Sequence, residues 1–204
     1  MKQVLTHTGL MEMVQRKRAH LINSIGGFKS VCLIGTADKN GLTNLAIFNS
    51  IVHIGANPPL ISFIMRPDSV ERHTLNNILD TKYYTINHLN EGIYKQGHQT
   101  SARYPKEISE FEVTGLTSEF KNNFAAPFVK ESNIQLGVEF KERINLTINN
   151  TIMIIGEIKE IYFPFDCLQE DGFIDIEKAG TITCSGLDSY HVTTRLGRLP
   201  YAKP

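Results

Sequence analysis

Apolar positions along this chain gather in strand-length runs separated by Gly, Pro and Asn-Gly breaks. Ser30 to Ala37 is the first β-rich run. It ends at Asp38-Lys39-Asn40-Gly41, where an Asn-Gly pair between two apolar runs predicts a hairpin. Asn44 to Ile54 reads as the second strand. Pro58-Pro59 then removes two amide donors and sets a corner, and Leu60 to Met65 returns as a third strand. Arg66-Pro67 stops it. Asp68 or Ser69 is suited to cap a helix through Asp80, with Glu71 at capping-box distance from Asp68. Lys82 to Ile86 predicts another strand, and Glu91 to Gln99 a helix. Residues 100–133 read as loop, broken at Tyr104-Pro105 and Ala126-Pro127. Three β-type runs follow between Ile134 and Phe163: IQLGVEF, INLTI and TIMIIGEIKEIYF. The last places Ile152, Ile154 and Gly156 on one face. Thr181 to Cys184 predicts a further strand.

The two ends differ from this middle. Leu10, Met13, Val14, Leu21, Ile22 and Ile25 suggest one or two helical turns before Gly26-Gly27. His191 to Pro204 has three basic residues after His191 and two prolines. It reads as an extended arm packing on the body or on a second subunit. Many strands with few helices predict a mainly β fold, a closed antiparallel barrel with a few peripheral helices. Strand and helix do not alternate and no GxGxxG occurs, so a doubly wound dinucleotide fold is unsupported. A single domain is expected over residues 1–204. It divides into a helical extension (1–27), a barrel core (28–162) and a C-terminal strand with tail (163–204).

Composition narrows the partners. Twenty-one basic residues balance 21 acidic ones, so neither nucleic acid nor an anionic membrane is called for. Arg16-Lys17-Arg18 reads as a solvated helix face. No apolar run is long enough to span a bilayer, and the N-terminus shows no secretory h-region. The three cysteines, Cys32, Cys167 and Cys184, are far apart and form no CxxC pair. Reduced thiols and a cytoplasmic location follow as expectations, with Cys32 and Cys184 as small core residues. The Asn145 and Asn149 NxT triplets then carry no glycan. The seven histidines are dispersed, which predicts no metal site. P-loop, HExxH and GxSxG motifs are absent, and no catalytic side chain is assigned.

The segment Asn44 to Asn77 concentrates the candidate chemistry. Ala46, Ile47, Phe48, Asn49 and Ser50 offer an apolar platform with polar groups near its middle. Arg66, Arg72, His73 and Thr74 surround the start of the expected helix, where free amides and the helix dipole favour an anion. A flat, mostly apolar ligand with a phosphate suits such a surface. Plainer roles exist for several of these groups: Arg66 as a surface ion-pair residue, Phe48 as core, His73 as a cap. His53 and His98 are either structural or close to the ring of a ligand. Tyr104 and Tyr201 read as packing residues.

An ordered set of short matches resembles the flavin-reductase-like, FMN-binding split-barrel family, of the flavoredoxin and NAD(P)H:flavin oxidoreductase type. They are Gly35-Thr36-Ala37-Asp38 with Gly41, then Asn44 and Ala46, then Asn57-Pro58-Pro59-Leu60. Thr74-Leu75-Asn76-Asn77-Ile78, Tyr84-Thr85-Ile86-Asn87, Ser109-Glu110-Phe111 and Ala126-Pro127 continue the order. The resemblance covers roughly residues 28 to 162. Phe48, Asn49 and Ser50 depart from the family's usual residues. The resemblance implies a Greek-key split barrel holding FMN at the strand and helix start named above. It also implies hydride from NADH or NADPH, electrons passed to a small-molecule or redox-protein acceptor, and a homodimer with flavin sites at or near the subunit interface. A non-catalytic FMN-binding, storage or electron-transfer flavoprotein is the alternative. Another phosphorylated or heme-like ligand, or a pyridoxamine-phosphate-oxidase-like activity, are more distant ones.

Overall fold

The computed structural model describes residues 2–203; Met1 and Pro204, the last residue of the expected arm, lie outside the described residues. Two short helices open the chain, α1 (His7–Glu12) and α2 (Gln15–Ile25). Strands β1 (Lys29–Ser30), β2 (Cys32–Ala37), β3 (Thr43–Phe48), β4 (Ile51–Ala56) and β5 (Pro59–Met65) follow. Then come α3 (His73–Thr81), β6 (Tyr83–His88), α4 (Tyr94–Gln99) and α5 (Glu110–Thr114). The strands β7 (Ser118–Glu119) and β8 (Phe128–Val129) precede the long pair β9 (Gln135–Leu146) and β10 (Thr151–Tyr162). The last strands are β11 (Thr183–Ser185) and β12 (Ser189–His191).

Seven strands form one antiparallel sheet in the order β3-β2-β6-β9-β10-β5-β4. The two edge strands, β3 and β4, are consecutive in the chain. Laid flat, six inter-strand gaps would part them by about 29 Å. The three residue steps from Phe48 to Ile51 span at most about 11 Å. The sheet must therefore curl until its edges meet. Irregularities in the β9–β10 register at Ile155/Gly156 and Ile158/Glu160 help the long strands bend. The expected single strand Asn44 to Ile54 is thus two strands that pair with different neighbours. The break falls at Asn49–Ser50. There the Ser50 hydroxyl donates to the Ile64 carbonyl (2.9 Å) and accepts from its N–H (3.1 Å), joining the seam to β5.

Inside the curl, Ile34, Phe63, Met65, Tyr84, Ile86, Val138, Ile152 and Ile154 are buried together. Leu75 and Ile78 of α3 belong to the same cluster, so apolar burial fixes where that helix lies and where it starts. A second cluster on the other side of β2 joins Leu33, Leu45, Ile93, Phe111 and Val129. It brings α4 and α5 against the sheet. A small sheet, β1-β11-β12, packs on this second cluster through Cys184 and Tyr190.

Several expected boundaries move. Helix α3 begins at His73, not at Asp68 or Ser69, and its N-cap Arg72 makes no side-chain cap bond. Asp68 instead pairs with Arg143 of β9 at 2.8 Å, so the capping box does not form. Lys82 is the left-handed C-cap of α3 (φ 69°), not part of a strand. Glu91 to Ile93 precede α4 as a turn. The three runs from Ile134 to Phe163 merge into β9 and β10, and the loop-like 100–133 stretch contains α5, β7 and β8. The C-terminal arm runs without regular structure. It is held by Arg195 to Asp175 (2.9 Å) and Arg198 to Asp171 (2.6 Å), while Leu196, Leu199 and Tyr201 stand out in solvent.

His88, at the end of β6, gives a pH prediction. Its Nδ1 meets Thr181 Oγ1 at 3.1 Å, and burial pushes its pKa down to about 4. The fold therefore prefers the neutral ring. Its contribution is fully present above the ordinary histidine value near 6.5 and is lost as pH falls toward about 4. The loss is at most about 3 kcal/mol. Urea unfolding at pH 7 and pH 5 checks this: His88→Gln should flatten the difference between the two.

Candidate flavin site

Where β3 ends and α3 begins, an open groove of about 660 Å³ lies on the surface. All nine residues named from the sequence line it: Ala46, Ile47, Phe48, Asn49, Ser50, Arg66, Arg72, His73 and Thr74. The curl of the sheet brings the two halves of that set together. One half sits on the last residues of β3 and the seam. The other follows β5 and opens α3.

The start of α3 leaves its first amides without a cap. The first bond into the helix runs from Asn76 N–H to Arg72 C=O (3.0 Å), so the amides of His73, Thr74 and Leu75 precede the hydrogen-bonded ladder. Because Arg72 caps nothing, no side chain competes for them. Arg72 is steadied by its Nε bond to the Pro67 carbonyl (3.2 Å). Burial first, then the nearby charges of Arg66 and Arg103, lowers the Arg72 pKa. Guanidinium remains charged regardless. Among the described residues, none of these three arginines has an acidic partner within ion-pair distance. Three like charges held together without an ion-pair partner fit a multiply charged anion such as a phosphate.

Thr74 is 5% exposed, and its hydroxyl accepts from Asn44 Nδ2 at 3.0 Å. Asn44 also reaches Thr36 (3.3 Å), which takes a second amide from Asn77 (3.1 Å). This network fixes the Thr74 rotamer and leaves its own proton free for a ligand.

The edge of β3 supplies the second half. The Leu45 N–H points away from β2 and donates to the buried Glu110 carboxylate at 2.9 Å. By the alternation of antiparallel pairing, the Ile47 N–H and C=O face the same unpaired side. They offer a donor and an acceptor beside an apolar surface, as the polar edge of an isoalloxazine requires. Burial raises the Glu110 pKa, and the Leu45 amide and His73 charge work against that rise. Phe48 serves both alternatives: it lines the groove and packs edge-to-face on Phe63 at 4.9 Å. Asn49 Nδ2 donates to the Gly186 carbonyl (3.0 Å), pinning the β11–β12 turn to the seam. The Ser50 hydroxyl is engaged by Ile64, as described above.

Other residues join the site that sequence reasoning did not assign to it. Arg103 lies in the stretch read as loop, and nothing in its local sequence signals an anion site. Glu110 and Asn44 entered only as matches within the resemblance. Cys184, Leu187, Asp188 and Tyr190 form a wall contributed by the small sheet. His98 and Tyr104 line the groove as well, whereas His53 does not. Among the described residues, no group of three or more His, Cys, Asp or Glu is placed to hold a metal. All three cysteines are free and buried. Among the described residues, no helix is long and apolar enough to cross a membrane.

Residues 25–172 match the flavin reductase like domain, and the chain belongs to that family. Its curled sheet is a split barrel. The chain is similar over 98% of its length to a split-barrel protein from Shewanella frigidimarina described as a candidate flavin reductase. That likeness has 50% identity and a TM-score of 0.95, and covers 100% of the other chain. Nitrilotriacetate monooxygenase component B from Bacillus cereus shares the fold at 22% identity and TM-score 0.84, over 98% of this chain and 99% of that one. The flavoredoxin of Desulfovibrio vulgaris shares it at 19% identity and TM-score 0.74, over 86% and 92%. Family membership supports flavin binding and a flavin-related oxidoreductase role.

Proposed function

We propose that this protein is an FMN-dependent oxidoreductase that takes hydride from NADH or NADPH and passes electrons to a separate small molecule or redox protein. The observation that carries the reading is the groove's division into two parts. At one end are three unpaired guanidiniums and the open amides of α3; at the other is an unpaired strand edge beside apolar surface. FMN has the matching parts, a terminal phosphate and a flat ring with a polar edge. Bound flavin supplies the hydride chemistry at N5. The chain's residues then have separate duties. Arg66, Arg72, Arg103 and Thr74 hold the phosphate. The backbone of Ile47 meets the ring's polar edge. Ala46 and Phe48 support its apolar body.

A homodimer is part of the proposal. α1 and α2 contain no buried residue, and Val14, Ile25 and Phe28 are each about 70% exposed. Apolar side chains displayed on two helices and an arm suit a second copy of the chain. Analytical ultracentrifugation of the full chain at micromolar concentration should show a dimer.

The test of function is an absorbance spectrum with added FMN, followed by anaerobic NADH and then NADPH. Rapid bleaching of the flavin bands is expected. Bands that persist would favour the electron-carrier reading, which the fold shared with flavoredoxin supports. Absence of flavin bands after FMN addition would refute both.

A further inference from the structure

One wall of the groove carries a histidine–tyrosine pair that the phosphate site does not use. His98, in the last turn of α4, and Tyr190, in β12, both line the groove. His98 Nδ1 lies 2.8 Å from the Tyr190 hydroxyl, and the rings meet edge-to-face at 5.8 Å. Tyr190 is braced by the Tyr94 ring at 5.5 Å and by its register with Cys184. Neither side chain has another hydrogen-bond partner among the described residues.

Tyr190 has a proton to offer in this bond, and His98 Nδ1 takes it in one of its two neutral tautomers. Burial, with Cys184 and Asp188 nearby, pushes the Tyr190 hydroxyl up to about 12, so it keeps its proton at neutral pH. In neutral imidazole one ring nitrogen accepts and the other donates. If Nδ1 accepts from Tyr190, the ring proton stands on Nε2. That nitrogen lies on the far side of the ring and has no protein partner.

We infer that Tyr190 holds His98 as the Nε2–H tautomer, and that this N–H donates to the carboxamide oxygen of a nicotinamide ring entering the groove. The inference rests on the nicotinamide donor proposed above. The carboxamide is the polar substituent of that ring and sits beside the carbon that gives up hydride. One neutral donor on the wall therefore fixes which face and register the ring presents. His98 is the residue that touches substrate; Tyr190 is a positioning residue that sets its tautomer. The arginines remain free for phosphate.

Two measurements on the full-length protein test this. Long-range ¹H–¹⁵N spectra should show His98 Nδ1 unprotonated and Nε2 protonated, and Tyr190→Phe should collapse the pattern toward a tautomer mixture. A His98 ring protonated at Nδ1, or unchanged by Tyr190→Phe, would overturn the inference. The second measurement is binding of the unreactive 1,4,5,6-tetrahydro forms of NADH and NADPH to FMN-loaded protein. His98→Ala should weaken binding of the preferred analogue about tenfold, the scale of one neutral hydrogen bond. His98→Gln, which keeps an N–H donor, should recover most of that loss, with FMN affinity unchanged in both. Equal analogue affinity in His98→Ala would sink the inference alone. Wild-type FMN-loaded protein that binds neither analogue would sink the nicotinamide reading and the inference with it.

Discussion

Replacing Arg66 and Arg72 together with Ala is expected to weaken FMN binding by roughly 10²–10⁴-fold while leaving riboflavin binding nearly unchanged. Each guanidinium would contribute a charge-assisted hydrogen bond of about 1.5–3 kcal/mol to the phosphate, and each 1.4 kcal/mol is about tenfold. Riboflavin lacks the phosphate, so it reports the ring site alone. Stability should hold, because the change removes like-charge repulsion around Arg72 and no buried packing. Thr74 is the poorer probe. Its hydroxyl is an acceptor for Asn44 in a buried network, so Thr74→Ala would confuse lost binding with lost stability. Fluorescence titration with both flavins, beside a thermal melt, separates the two effects. Equal losses for FMN and riboflavin would place the phosphate elsewhere. High salt should mimic the variant in part, since the arginines are at a solvent-open site.

Gly35→Ala is expected to destabilise the protein by about 3 kcal/mol or more, enough to threaten folding. Gly35 lies in β2, between β3 and β6. A Cβ there would fall on the Pro127 carbonyl oxygen and 2.6 Å from Thr85 Oγ1. Those two atoms are themselves hydrogen-bonded, Thr85 Oγ1 donating to Pro127 O at 2.6 Å. The obstacle is therefore partly backbone, and it cannot rotate aside. Gly41→Ala is the control. That glycine has φ +85° but open space around it, so only the left-handed backbone is penalised, by about 1–2 kcal/mol. Urea midpoints of the two variants should differ clearly. Similar midpoints would show that the β2–Pro127 contact yields more easily than its geometry suggests. Damage at Gly35 should also reach the site, because the next residue, Thr36, anchors both Asn44 and Asn77.

Much of the fold was legible because it is written locally. Asn40-Gly41 marked the β2–β3 hairpin, where the Asp38 carboxylate also accepts from Asn40 and Leu42. The apolar runs marked β2, β5, β6 and β10. Ile152 and Ile154 face inward as their alternation required. The donors of the groove were legible as a strip of residue types between Asn44 and Asn77, and family likeness turned that strip into a flavin expectation.

What was not legible depends on partners distant in sequence. Asp68 and Glu71 have the spacing of a capping box, yet Arg143, 75 residues away, takes Asp68, and burial of Leu75 and Ile78 sets where α3 begins. The run Asn44 to Ile54 carries no mark at Asn49–Ser50, because both halves are edge strands of the same curled sheet and keep the same β character. Arg103 sits in a loop with no periodicity to flag it. β12 is three residues long and gains its pairing from β11 alone.

By itself, then, the sequence determined the strand-rich class, the hairpins, the balanced charge and the residue types a flavin needs. Alternation, turn chemistry and composition act within a few residues and can be read there. Only the tertiary structure decided that β3 and β4 part at the seam, that Arg103 joins Arg66 and Arg72, and that His98 meets Tyr190. Those are meetings of groups brought together by closing the barrel, and the burial that drives the closure is non-directional. Apolar runs state how much surface must leave water; the register of the closed sheet states which polar groups then face one another.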